Sequence, residues 1–151
     1  MLFRSGKLIR PLGWGFRGIV RGEIGATLKD RFEDLPFSIR YFVGGDYSVR
    51  GYDYKSLGPR DETGAVRGGS HKLVLSAELD RPVWRNRWSV AAFVDSGNAF
   101  DDFDNMSLKT SVGAGVRWYS PLGPIRLDVG VPLDSDAPDD FRIHVTLGPD
   151  L

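Results

Sequence analysis

The sequence predicts an all-β fold, an antiparallel up-and-down meander of about seven strands. Two observations lead there. Five segments alternate apolar and polar residues at the period of two that a pleated strand imposes, and the connections between them alternate short and long. Helical periodicity is nearly absent, because Gly or Pro interrupts almost every window long enough for three helical turns. At 151 residues, one domain is the prior.

Taken in chain order, the first element is weak. Residues 2–10 alternate poorly, so 1–13 is read as a poorly defined segment or partial strand, and the regular pattern starts at 14. Residues 16–28 read as a strand with Arg17, Arg21 and Glu23 on its polar face, and 37–43 as one with Ile39, Tyr41 and Val43 on its apolar face. Residues 72–80, KLVLSAELD, put Leu73, Leu75, Ala77 and Leu79 on one side; Val74 is the lone apolar residue among Lys72, Ser76, Glu78 and Asp80 on the other. Residues 88–95 set Trp88, Val90, Ala92 and Val94 against Ser89, Ala91, Phe93 and Asp95. Residues 111–119 set Val112, Ala114, Val116 and Trp118 against Ser111, Gly113, Gly115, Arg117 and Tyr119. Ile125, Leu127, Val129 and Val131 alternate with Arg126, Asp128 and Gly130; Phe141, Ile143, Val145 and Leu147 alternate with Arg142, His144 and Thr146. All twenty apolar-face positions of these five segments are apolar, which makes each a strand.

Connections 81–87 and 121–123 are short, whereas 44–70, 96–109 and 132–140 are long, so every long loop opens on the same side. Transmembrane barrels show this pattern, but a soluble antiparallel sandwich also has alternating faces, and alternation alone does not choose. Trp88 and Trp118 fall at the same short-turn rim on the apolar side, as in an aromatic girdle or as a cross-strand pair at a sandwich edge. The opposite face mixes both charges with glycine (Arg40, Glu78, Asp95, Arg117, Arg126, Asp128), which suits a hydrated interior.

Composition removes other classes. Lys plus Arg equal Asp plus Glu, 20 against 20, so no basic excess draws the chain to nucleic acid. There is no Cys for a disulfide or thiolate site. The longest apolar run, 90–94, is far short of the roughly 18 residues a spanning helix needs, and MLFRSGKLIRPLGW lacks the apolar core of an export signal. No catalytic constellation is present: His71 and His144 lie on different strands without a G-x-S-x-G serine. The acidic loops, Asp101, Asp102, Asp104 and Asn105, then Asp134, Asp136, Asp139 and Asp140, lack the glycine and distal glutamate of a calcium loop. No enzyme, cofactor or metal site is expected.

Residues 44–52 read GGDYSVRGY. Here the chain resembles the outer-membrane surface-antigen barrels, the family of BamA, TamA and the two-partner secretion transporters, whose sixth loop folds into the lumen with a V-R-G-F/Y tip. Val49, Arg50, Gly51 and Tyr52 match that tip, FVDSGN at 93–98 resembles the family's F-x-D-x-G strand, and GVRWYSPLGPIRLD at 115–128 its penultimate hairpin. The ending LGPDL looks most like TamA. The resemblance covers about 14–151 and implies that Arg50 meets Asp95, with Glu78 as a second acid. A planar guanidinium fork suits two carboxylate contacts where lysine does not. Gly51 is expected to supply a backbone turn closed to other residues, and Tyr52 an amphipathic anchor.

Seven strands with a loop of 27 residues inserted, 44–70, overfill the smallest barrels. The expected fold is therefore the C-terminal portion of a larger transmembrane β-barrel, with further strands and periplasmic domains upstream. Its last strand, with Phe141, Ile143, Val145, Leu147 and Gly148, is short and followed by Pro149, so the seam there should be weak. The resemblance implies a bacterial outer-membrane factor, TamA-like, that inserts or translocates other proteins. Its implied partners are outer-membrane lipid and lipopolysaccharide, client outer-membrane or autotransporter proteins, and a periplasm-spanning TamB-like protein. A two-partner secretion pore and a soluble β-sandwich binding module are the other readings.

Overall fold

The structure is a computed structural model and describes residues 2–27, 36–135, 137 and 140–148. Seven strands form one antiparallel sheet in chain order: β1 (Leu2–Pro11), β2 (Arg17–Ala26), β3 (His71–Trp84), β4 (Trp88–Phe100), β5 (Lys109–Ser120), β6 (Gly123–Pro132) and β7 (Arg142–Leu147). The sheet is open, since β1 and β7 each have a single neighbour. Three short turns lie on one rim; the connections through 27–70, 101–108 and 133–141 lie on the other.

The polar and apolar faces are inverted relative to a soluble sheet. Leu75, Leu79, Val90, Val94, Val116, Leu127, Val129 and Val145 are exposed, whereas Ser76, Asp80, Ser89, Asp95, Ser111, Arg117, Arg126 and Asp128 are buried. No second sheet covers the aliphatic face among the described residues, so the sandwich reading fails. A contiguous apolar surface across β2 to β7 far exceeds the patches that soluble monomers carry and suits hydrocarbon as its neighbour. Its short-turn edge holds all four tryptophans: Trp14 in the β1–β2 turn, Trp84, Trp88 and Trp118. Trp88 and Trp118 are register partners with stacked rings, centroids 5.7 Å apart. This is an interfacial aromatic girdle.

Two sequence expectations need correction. Residues 2–11 form a full strand, joined to β2 through ten register pairs. They hid because both faces are mixed: Lys7 and Ile9 turn inward with Arg21 and Ile19, while Leu8 and Arg10 turn outward with Val20 and Gly18. Conversely, 37–43 is not a wall strand. After Pro36 the chain makes a 3-10 turn, Phe37–Ile39, then only isolated bridges, Tyr41 to Gly69 and Val43 to Leu57. Its alternation is real but buries Tyr41 and Val43 beneath the loop's own cap. The strand count stays at seven with a different member. Leu28, Asp136, Asp139 and the LGPDL residues beyond Gly148 lie outside the described residues.

The hydrophobic core therefore sits between loop and wall. Tyr41, Val43, Val49, Tyr52 and Leu57 of the β2–β3 connection pack with Val74 of β3 and Ala99 of β4. Val74, the one apolar residue on the inner face of the 72–80 segment, is where the loop lands.

Candidate functional site

Arg50 stands at the tip of that connection, on the inner face of the sheet, only 1% exposed. Gly44 and Gly45 turn the chain toward the wall with φ of 112° and 98°, conformations that side chains rarely adopt. Ser48 Oγ accepts the Gly44 N–H at 2.8 Å. The Arg50 guanidinium grips Asp95 of β4 in bidentate fashion, Nε to Oδ2 at 2.7 Å and Nη2 to Oδ1 at 2.9 Å. Its backbone N–H also donates to Asp95 Oδ2, at 3.2 Å. Nη1 donates to Glu78 Oε2 of β3 at 2.8 Å and to Asp128 Oδ2 of β6 at 3.4 Å. Asp95, fully buried, takes a further bond from Ser76 Oγ at 2.6 Å.

Charges balance within the cluster. Arg117 of β5 bonds Asp128 at 2.5 Å and Glu78 at 3.1 Å, and Arg126 of β6 lies 3.4 Å from Asp128 and 3.7 Å from Glu78. Three cations, Arg50, Arg117 and Arg126, thus face three anions, Glu78, Asp95 and Asp128. Burial pulls the Arg50 pKa down, but the hydrogen bonds and charge of Asp95, then of Glu78, outweigh it and hold it above the ordinary arginine value. Beneath the guanidinium lies the Phe93 ring, its centroid 3.4 Å from Cζ, a cation–π contact in a desolvated setting.

The neighbours of Arg50 complete the attachment. Gly51 N–H donates to Ser111 Oγ of β5 at 3.0 Å. Tyr52 is buried, with its hydroxyl donating to Asp134 at 2.7 Å. From β7, His144 Nε2 lies 2.7 Å from the Arg50 carbonyl oxygen while Nδ1 contacts the Asp46 carboxylate, so the ring bridges the tip and the loop before it. The tip therefore touches five consecutive strands, β3 to β7, and acts as a brace across the wall.

The structure brings together Val49, Arg50, Gly51, Tyr52, Glu78 and Asp95. Sequence reasoning missed the third acid, Asp128, the counter-cations Arg117 and Arg126, and the supports Phe93, Ser111 and His144. Phe93 carried a readable signal, an aromatic residue among polar-face positions. The reason for glycine at 51 also differs from expectation. Gly51 lacks a positive φ; instead a Cβ there would collide with Ser111 and come within 2.9 Å of the Pro132 nitrogen. Gly130 matters likewise, because a Cβ on it would sit 2.5 Å from the Arg50 carbonyl oxygen. Gly130→Ala is expected to push the tip off the wall and lower stability by about 1–3 kcal/mol. Limited proteolysis within 44–70 checks this; unchanged cleavage and melting would contradict a docked tip.

The remaining candidates sit apart. Ile143, Val145 and Leu147 of β7 point outward and are exposed, Phe141 precedes the strand, and Gly148 donates its N–H to the Pro124 carbonyl at 3.0 Å. Asp101 is engaged by Arg67 at 2.5 Å, and Asp102 accepts the Asp104 N–H of a short 3-10 turn.

An apolar outer face, a charged inner face and an arginine-tipped loop braced on the inner wall define a transmembrane β-barrel segment whose lumen is occupied by its own loop. The chain belongs to the Omp85 superfamily, whose domain matches residues 6–150. Among curated relatives it is 34% identical over 126 residues to the outer membrane protein assembly factor BamA of Nitratidesulfovibrio vulgaris, covering 78% of this chain and 15% of that protein. It is 30% identical over 175 residues to BamA of Neisseria meningitidis serogroup B, covering 91% and 22%. The crystal structure of BamA from Haemophilus ducreyi lacking POTRA domains 1-3 superposes with a TM-score of 0.73 over 93% of this chain and 32% of that one; at 22% identity this likeness shows the fold. The chain thus spans less than a quarter of the length of the two curated relatives. These relatives are named BamA rather than TamA. The family places the strands in the bacterial outer membrane.

Proposed function

We propose that this chain is the C-terminal part of the barrel of an outer-membrane protein assembly factor, which helps other proteins insert into or cross that membrane without covalent chemistry. The observation that carries the reading is the brace: Arg50, held by three acids from β3, β4 and β6, keeps an inserted loop inside a wall whose outer surface is apolar. A rigid lumen plug leaves the strand edges as the working surface. The edge of β7 offers unpaired backbone groups beside Ile143, Val145 and Leu147, where an incoming client strand would be templated. Client outer-membrane or autotransporter proteins, lipid and lipopolysaccharide are the partners this reading assigns. The TamA-like version, with a TamB-like partner spanning the periplasm, rests on LGPDL alone and is the narrower form.

The test uses the full-length protein in proteoliposomes with an unfolded outer-membrane client. Faster client insertion, read by heat-modifiable gel mobility, is expected, and a disulfide joining the first and last strands of the barrel should abolish the gain. Insertion unaffected by that disulfide overturns edge templating. Passage of a soluble exoprotein through the lumen, without client insertion, overturns the assembly reading in favour of a secretion pore.

A further inference from the structure

The two rims of the sheet differ in charge, the long-loop rim mixing Arg40, Lys55, Arg60, Arg67 and Lys109 with its acids. Around the long loops lie Asp101, Asp102, Asp104, Asp134 and Asp140. The outer side of the short-turn rim has no acid among the described residues; Glu78 and Asp80 there face inward. It does have two arginines, Arg10 and Arg81, and two more lie in the adjoining turn. Arg85 and Arg87 flank Asn86 in the β3–β4 turn, Arg81 lies on the outward face of β3, and Arg10 lies outward on β1 beside Gly18 and Leu79.

Arg81 is the informative one. Its register partner is Val90, which leads across the sheet to Val116, Leu127 and Val145. That row is two residues nearer the membrane centre than the paired Trp88 and Trp118. Arg81 therefore emerges from the hydrocarbon side of the indole girdle, where a cation is disfavoured until it reaches the headgroups. Among the described residues no carboxylate pairs with it, and the Phe16 ring lies 5.0 Å from the guanidinium centre. The turn beyond it is also unusual. Arg85 has φ of 47° in the three-residue β3–β4 connection, a backbone conformation that usually takes Asn or Gly. A long cation thus stands at the rim at some conformational cost.

We propose that this rim, formed by the β1–β2 and β3–β4 turns, binds the headgroup of an anionic glycerophospholipid from the leaflet that meets the short turns. Arg81 makes the bidentate phosphate contact, Arg85 and Arg87 supply the charge that favours a net-negative headgroup over a zwitterionic one, and Phe16, Trp84 and Trp88 flank the glycerol region. The inference rests on the outer-membrane placement of the strands, because the short turns face the phospholipid leaflet only in that setting.

The clustering of all four tryptophans at this rim supplies the probe. Full-length protein is reconstituted in phosphatidylcholine bilayers, and tryptophan quenching by brominated phosphatidylglycerol is compared with quenching by brominated phosphatidylcholine. Wild type is expected to prefer phosphatidylglycerol by about fivefold, in line with the attraction of one basic side chain near the surface. Arg81→Gln should reduce that preference to near unity, and Arg81→Lys should keep part of it. No preference in the wild type, or a preference unchanged in Arg81→Gln and in the Arg81→Gln/Arg85→Gln/Arg87→Gln triple variant, overturns the proposal. Quenching by both lipids alike sinks this inference alone; quenching by neither means that the rim is not in a bilayer, and the barrel reading falls with it.

Discussion

Arg50→Ala is expected to lower the stability of the barrel by about 3–5 kcal/mol, the range for breaking a buried ion pair from one side. The size follows from desolvation. Arg50 is 1% exposed and Asp95 is fully buried, so no solvent takes over when the guanidinium leaves. Among the described residues, Glu78 and Asp128 would keep their ion pairs with Arg117 and Arg126, whereas Asp95 would lose the one with Arg50 and stand as an uncompensated negative charge in the wall. The loop tip would also lose the cation that holds it over Phe93. Arg50→Lys should rescue only part of the loss, since one ammonium cannot bond Asp95 twice while reaching Glu78 and Asp128. The thermal midpoint of heat-modifiable mobility reads the stability, and client insertion by the full-length protein should fall with it. A midpoint within the small range of a surface substitution would mean that the pair is hydrated.

Asp95→Asn is the complementary test and should cost about 3 kcal/mol. Asparagine preserves the volume and so isolates the charge. At this site the carboxylate accepts four hydrogen bonds, from the Arg50 backbone, Nε and Nη2 and from Ser76 Oγ. An amide offers one oxygen and turns an N–H donor toward other donors. The buried guanidinium keeps Glu78 and Asp128, so the loop should remain docked but loosen, with faster cleavage in 44–70 at temperatures where the wild type resists. Asp95→Asn behaving like wild type in both readouts would shift the weight of the brace to Glu78 and Asp128.

Much of this architecture was legible in the sequence for one reason. Strict alternation fixes which face each side chain takes, so Glu78 and Asp95 were assigned to the inner face before any geometry, and the V-R-G-Y tip supplied their partner. Alternation does not say what covers a face. Residues 37–43 alternate because the loop cap buries Tyr41 and Val43, a pattern indistinguishable in the sequence from that of a wall strand. Residues 2–11 form a strand without alternating, because pairing with β2 suffices. Face membership also carries no depth. Asp128, Arg117 and Arg126 were recognisably inward, but their convergence on Arg50 depends on the relative shift of β5 and β6 against β3 and β4, which the hydrophobic pattern leaves free by even numbers of residues. The exceptions to the polar pattern were the better guide: Val74 and Phe93, apolar on an inner face, are both places where the loop touches down.

If the loop-tip arginine and the wall carboxylates act as one unit, a double-mutant cycle on Arg50→Ala and Asp95→Asn in the full-length protein will show coupling between them. The double variant is expected to lose less than the sum of the single losses, with a coupling of about 2–3 kcal/mol in the thermal or denaturant midpoint. Losses that add to within about 0.5 kcal/mol would contradict it, because independent sites add and a shared buried pair does not.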